Sequence, residues 1–499
     1  MTSRKPGRPV FYVTAGILVA ALAWTQDATA QDQPPGTAGT TAESQAGSED
    51  EASQAPLPAP KYLNLRYDED FSYLDRAEGS YHPDMFDVIK NIDLGDDWRL
   101  SLGGEFRVTI ESETNKAFGA TEPANDTFQH YRYFLHADVR YRNVFRVFVQ
   151  GAVVHDEDRD LAFRGSDENI ADLQQLFFDL RVWGGDERPV TLRVGRQELL
   201  YGNERYVSPL DWASTRRRFD AVKLFWTYPD WTVDMFYAKP VVVQRRQRDR
   251  YNEDFDFYGL YVTYTGIPRH GLDLYAFAVD NTGSPVNPNG KAGDKSTYTL
   301  GSRFWGKTGG FDYETELAGQ WGHWAGDTVQ AWSWATTAGY TFSELKCQPR
   351  LGLGFDWASG DDNPTDGKVG TFDQLFPLGH TYLGFMDLIG RQNITAARAD
   401  LSAWIVPGSV KGAIAYHAFW LTHPEDALYN AAGGVVRRDP TGDSGRKVGQ
   451  EMDLTVKWKL DAHSNVLLGY SHFWDSDLIT NTGPSEDADL FYVQYQLKF

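Results

Sequence analysis

The chain has 499 residues, a single cysteine and a formal net charge of −21 at pH 7. So acidic a balance excludes nucleic acid as a partner recruited by the overall field. Cys347 has no intramolecular partner, so the fold must be held by something other than a disulfide.

At the N-terminus Arg4, Lys5 and Arg8 precede an apolar run from Val10 to Trp24, and Ala28-Thr29-Ala30 follows. Charge, grease and then a small-x-small exit is the order of a secretory signal, which is expected at residues 1–30. The run is short for a bilayer span, and no later segment offers the roughly 18 consecutive apolar residues of a membrane helix. Residues 31–60 are Gln, Gly, Ser, Ala, Thr, Glu and Pro with little to bury, the composition of a disordered lead-in. Residues 61–97 are polar and aromatic without a strong period; a periplasmic or plug-like segment is expected there.

From Trp98 onward the signal is alternation with period two, the mark of a strand with different surroundings on its two faces. Leu100, Leu102, Phe106, Val108 and Ile110 share one face; Arg99, Ser101, Glu105, Arg107, Thr109 and Glu111 share the other. Tyr131, Tyr133, Leu135, Ala137 and Val139 oppose His130, Arg132, His136, Asp138 and Arg140 in the same way. That second face is far too polar for the interior of a soluble sandwich. Short connections, near Arg142-Asn143, Pro229-Asp230 and Asp461–Ser464, alternate with long ones such as Glu198–Thr215, Gly322–Val329, Gly360–Arg391 and Thr422–Arg446. The expectation is an all-β fold over residues 98–499: a transmembrane antiparallel up-and-down β-barrel of about 18 strands, with short periplasmic turns and long extracellular loops, in a bacterial outer membrane. Aromatics at strand ends, among them Trp98, Trp226, Trp231, Trp305, Trp404 and Trp458, are expected in the interfacial girdles.

If the apolar parity meets lipid, the other parity lines the lumen. Arg132, Arg140, Arg193, Arg303, Arg350 and Arg398 then point inward, together with acids such as Glu105, Asp138, Asp179 and Asp400. Two readings follow: salt-bridge ladders lining a wet pore, or arginines converging on a constriction that offers fork-shaped donors to carboxylates. Arg132 and Arg193, well inside their strands, are the best candidates for the second. Arg196 falls on the lipid parity, so either a bulge re-aims it or it sits at the rim. Arg216, Arg217 and Arg218 lie in a loop that could fold back over the mouth.

Asp361, Asp362 and Asp366 invite a calcium reading, but their spacing is not that of an EF-hand, and Asp-Asp-Asn-Pro and Asp-Gly are turn formers. His130 and His136 share a face, but no nucleophile–base or paired-carboxylate arrangement stands out, so an enzyme is not expected, nor is a cofactor.

Gly195-Arg196-Gln197-Glu198, Ser208-Pro209-Leu210-Asp211-Trp212 and Arg217-Arg218-Phe219-Asp220 resemble the signature of the alginate-export outer-membrane porin family. Phe355–Asp362, Thr371-Phe372-Asp373, Leu375-Phe376-Pro377 and Gly449–Leu454 add to the likeness, which spans roughly residues 98–499. The resemblance implies an arginine-rich constriction passing a polyuronate outward, partly gated by loops, with anion selection at Arg196, Arg217 and Arg218 besides the inward arginines. Departures in the lead-in and in many loop residues bear on the substrate, and a general or organic-acid uptake porin is the alternative. The partners expected are outer-membrane lipid, an anionic oligo- or polysaccharide, the outer-membrane assembly machinery, whose signal the alternating run to Phe499 resembles, and a periplasmic scaffold.

Overall fold

The computed structural model describes residues 62–499 apart from 78, 186 and 187. The signal peptide expected at 1–30 and the lead-in expected at 31–60 lie outside the described residues.

Eighteen antiparallel strands, from Trp98–Thr114 to Ala488–Lys498, form a closed barrel. Each bonds to the next in sequence, and the ring closes where Ala488–Lys498 pairs with Trp98–Thr114, from Glu105↔Lys498 to Thr114↔Asp489. The start of the first strand lies beyond that pairing and takes Ile92–Gly95 as its neighbour instead. Closure leaves no bare strand edge, which is the condition for crossing hydrocarbon with strands. It also answers what holds a chain with one thiol together.

The alternation sorts the wall into two chemistries. Leu135 and Leu353, on the outward parity, are 65% and 68% exposed, whereas Glu105, Arg107, Thr109 and Glu111 are all buried. Oil outside and ions inside invert the distribution of a soluble protein and match a wall solvated by lipid. Trp231 and Trp458 stand exposed on the outward parity at strand ends, as girdle residues should. Trp305 and Trp404 do not: the first shares the face of Arg303 and the second that of Arg398 and Asp400, so both point inward.

Connection lengths alternate as expected with one exception. The stretch Gly322–Val329, read as a long loop, is a tight turn at Ala325-Gly326 that sets Trp324 opposite Asp327. Ala325 and Gly326 both have positive φ, 53° and 85°. Two such residues in a row make the hairpin turn whose twist matches the flanking strands, so the alternation simply runs on into both of them.

Among the described residues three main pieces of chain enter the ring, and Phe118, Leu428, Leu478 and Ile479 of other connections join the main buried cluster. Residues 62–90 enter from the end where Lys498 and Trp98 lie. Arg66, buried there, donates to the carbonyls of Gly104 and Phe499, both at 2.7 Å, and to Glu69 at 2.6 Å. Tyr67 packs edge-on to Phe148 and Phe177, and its hydroxyl donates to the Glu198 carbonyl at 2.9 Å. The connections 198–218 and 359–393 fold in from the opposite end.

Candidate functional site in the barrel lumen

Connection 198–218 is drawn inward by its aromatics. Tyr201 stacks on Phe236 and Tyr261, and Tyr261 on Tyr275, so one wall of the lumen is an aromatic stack with the loop laid over it. Beyond Tyr206 this loop meets connection 359–393 as a short parallel ladder: Phe376 donates to the Tyr206 carbonyl and Ser208 to the Phe376 carbonyl, each at 2.9 Å. Buried Arg205 pins the loop to Glu314 and Glu316, and Tyr382 of the second loop donates its hydroxyl to the Asn203 carbonyl. Gly384, with φ +94°, lies so close to Glu451 that a Cβ would meet its Oε2 at 2.3 Å; the backbone of Met386 donates to the same carboxylate at 3.0 Å.

The arginines expected on the lumenal face are there, but they are paired. Arg132 donates from Nε to Glu105 at 2.8 Å and from Nη2 to Asp211 at 2.8 Å, with Nη1 on the Asp211 and Ala213 carbonyls. Arg193 forks onto Asp179 at 2.7 and 2.9 Å, held between the rings of Tyr67 and Phe177. Arg140 bonds Asp138 and the Glu69 carbonyl, and Arg303 bridges Asp273 and Glu314. Arg350 spans Asp312 and Asp400, and Arg398 reaches Asp400 and the Thr381 carbonyl. In the loop, Arg218 pairs with Asp249, while Arg216 ties Asp211 to Glu198 at 2.9 and 2.7 Å. Burial opposes ionisation of Asp211, but Arg216 and Arg132 outweigh it and hold this carboxyl well below the usual range.

Arg196 is a correction. It lies across from Asp220 on one side and Leu176 on the other, both on the outward parity, and forks onto Asp220 at 2.8 and 3.0 Å. The bulge needed to turn it inward does not form, so it stands at the outer rim of the loop end and does not line the channel.

Two guanidiniums of the inward arginines and the loop motif stand apart, as do Arg437 and Arg446 of connection 422–446, which among the described residues also donate to carbonyls alone. Among the described residues Arg107 and Arg217 meet no carboxylate at ion-pair distance; both donate to main-chain carbonyls. Arg107 takes those of Asp211, Trp212 and Ala213 at 2.6, 3.0 and 2.9 Å. Arg217 takes those of Ser208 and Phe376 at 3.0 and 2.5 Å, clamping one loop to the other. Burial pulls the Arg217 guanidinium down to about 10. The sequence marks Arg217 through its motif, but it carries no signal for Tyr67 or Arg205, whose partners lie far along the chain.

Two of the three calcium candidates serve their own turns. Asp361 accepts from the amides of Asn363 and Gly370, and Asp366 from that of Lys368. The acidic group compact enough for a cation among the described residues is elsewhere, at His130, Asp156 and Asp167. There the Arg159 guanidinium already bridges the two aspartates at 3.2 and 3.1 Å.

A closed eighteen-strand ring with a lipid-facing exterior and an ionic lumen entered by loops is an outer-membrane β-barrel channel. Three Pseudomonas aeruginosa structures share the architecture. OpdQ is similar with a TM-score of 0.53 at 12% identity, covering 80% of this chain and 98% of that one. OccK11 (OpdR) has a TM-score of 0.51 at 12% identity, covering 80% and 96%. The outer membrane protein OprD has a TM-score of 0.51 at 9% identity, covering 80% and 94%. At such identities the likeness speaks for the fold alone. No curated protein matches the chain by sequence. The family profile described as alginate export matches residues 98–493, and the chain belongs to that family.

Proposed function

We propose that this channel carries an anionic carbohydrate of the polyuronate type outward across the outer membrane. The observation that carries the reading is the state of Arg107 and Arg217. Both are fixed, always-charged forks held only by carbonyls, so an incoming carboxylate can replace a neutral acceptor with a charged one. The ion-paired arginines around them offer no such gain. In this reading residues 62–90 plug the periplasmic end, and connections 198–218 and 359–393 gate the other. The alternating run to Phe499 serves as the assembly signal, and the periplasmic mouth is where a scaffold docks. A porin-type barrel with these features acts as a channel rather than as an enzyme.

Planar-bilayer recording with the purified full chain tests the proposal. Anion preference and a concentration-dependent block by oligouronates are expected; cation preference without block refutes it. One observation favours the alternative, uptake of small organic acids: the lumen is packed by three chain segments, which suits a small solute better than a polymer. Uptake and secretion measured in a deletion strain separate the two.

A further inference from the structure

The wall opposite the aromatic stack is built differently. On the strands Ile394–Val406, Val410–Leu421 and Lys447–Lys459 the inward residues fall into level rows. Arg398, His417 and Glu451 form the deepest of these, then Asp400, Ala415 and Asp453, then Ser402, Ala413 and Thr455, and at the periplasmic end Trp404, Lys411 and Lys457. The third row is small and neutral, so no bulky side chain of these strands stands between the second row and the fourth.

The fourth row has an unusual composition. Lys411 and Lys457 face each other directly across neighbouring strands, a like-charge placement that is unfavourable in itself. Among the described residues neither has a carboxylate within ion-pair distance. Lys459, also inward, adds a third positive charge toward the mouth; the inward acids nearest in register, Asp400 and Asp453, lie two rows deeper and are taken by Arg350 and Arg398 and by His417 and Ser471. Beside the lysines the half-buried Trp404 presents its indole, with the Lys411 ammonium 5.6 Å from the ring centroid.

We propose that Trp404, Lys411 and Lys457 form a periplasmic capture site for one acidic sugar residue. The apolar C–H face of a pyranose rests on the indole, and its carboxylate lies between the two ammoniums, relieving their repulsion. Inward parity keeps lipid headgroups away from the row. The inference rests on the polyuronate reading above and names the place where such a chain is first held.

The test is calorimetric titration of the detergent-purified full chain with an oligouronate and with a neutral oligosaccharide of equal length. The variants are Trp404→Ala and Lys411→Gln/Lys457→Gln, with heat-modifiable gel mobility confirming that the barrels are folded. The lysine pair variant is expected to weaken oligouronate binding about tenfold at low salt and to lose most of its salt dependence. Trp404→Ala should weaken both ligands. Oligouronate binding that is unchanged in both variants overturns the capture site while leaving the polyuronate reading in place. A wild-type chain that binds no oligouronate overturns both.

Discussion

Replacing Arg217 with alanine should loosen the joint between the two inward loops. Its Nη1 holds carbonyls of both, Ser208 at 3.0 Å and Phe376 at 2.5 Å. A hydrogen bond from a charged donor contributes about 1.5–3 kcal/mol, so two amount to roughly 3–6 kcal/mol before opposing effects. Burial of the charge works the other way, as the lowered pKa of about 10 shows. A net loss of roughly 1–2 kcal/mol follows, a factor of about 5–30 between docked and undocked loops. The three remaining backbone links among 204, 206, 208, 376 and 378 keep the loops in register, so the barrel itself should be unaffected. Single-channel recording reads the change as a higher open probability, with Arg217→Met showing the same gain because it keeps bulk without donors. Wild-type opening in both variants would refute the clamp.

Three further outcomes are expected. Tyr67→Ala removes the ring packed on Phe148 and Phe177 and the bond to Glu198, so residues 62–90 should become more open to protease and the leak conductance should rise; an unchanged digestion pattern would contradict the plug. Leu300→Lys places an ammonium on the outward parity in mid-strand, where Leu300 is 58% exposed, and should cost about 2–4 kcal/mol, seen as a reduced folded fraction on a heat-modifiable gel. Buried Lys90 donates to the Leu102 carbonyl at 2.6 Å, and burial lowers its pKa to about 8. The folded chain therefore binds fewer protons than the unfolded one between about pH 8 and pH 10.4, so stability contributed by this group rises across that window and is lost as pH falls through 8. The thermal midpoint should follow that slope in the wild type and lose it in Lys90→Met; identical pH profiles would refute the assignment.

The outer wall was legible in the sequence because it is a local pattern. Period two places Leu135 against lipid and Arg132 in the lumen without reference to any other strand, and turn residues mark most of the connections. Gly322–Val329 reads as a long loop, whereas its Ala-Gly pair in positive φ closes a hairpin on its own and the alternation runs into the turn. The contents of the lumen were not legible. Arg132 pairs with Asp211 and Arg205 with Glu314 across long sequence separations, and nothing local tells a loop that arches over a mouth from one that descends into it. Parity places Arg196 outside or at the rim unless a bulge re-aims it, and the family likeness adds a pore role that its pairing with Asp220 does not bear out.

The two unlike walls of the lumen make the passage lopsided. Connections 198–218 and 359–393 are packed on the aromatic side through Tyr201, Tyr206, Phe372 and Phe376, and on the other side they are tied to the deepest row, Met386 to Glu451 and the Thr381 carbonyl to Arg398, while the small row Ser402, Ala413 and Thr455 below offers no long side chain to hold them. An opening that frees the loops from that deepest row would therefore start as a crescent along the small-residue wall rather than as an iris around the axis. A ribbon-shaped solute threading that crescent would present one edge to fixed protein and the other to a yielding flap, and would travel with a preferred roll.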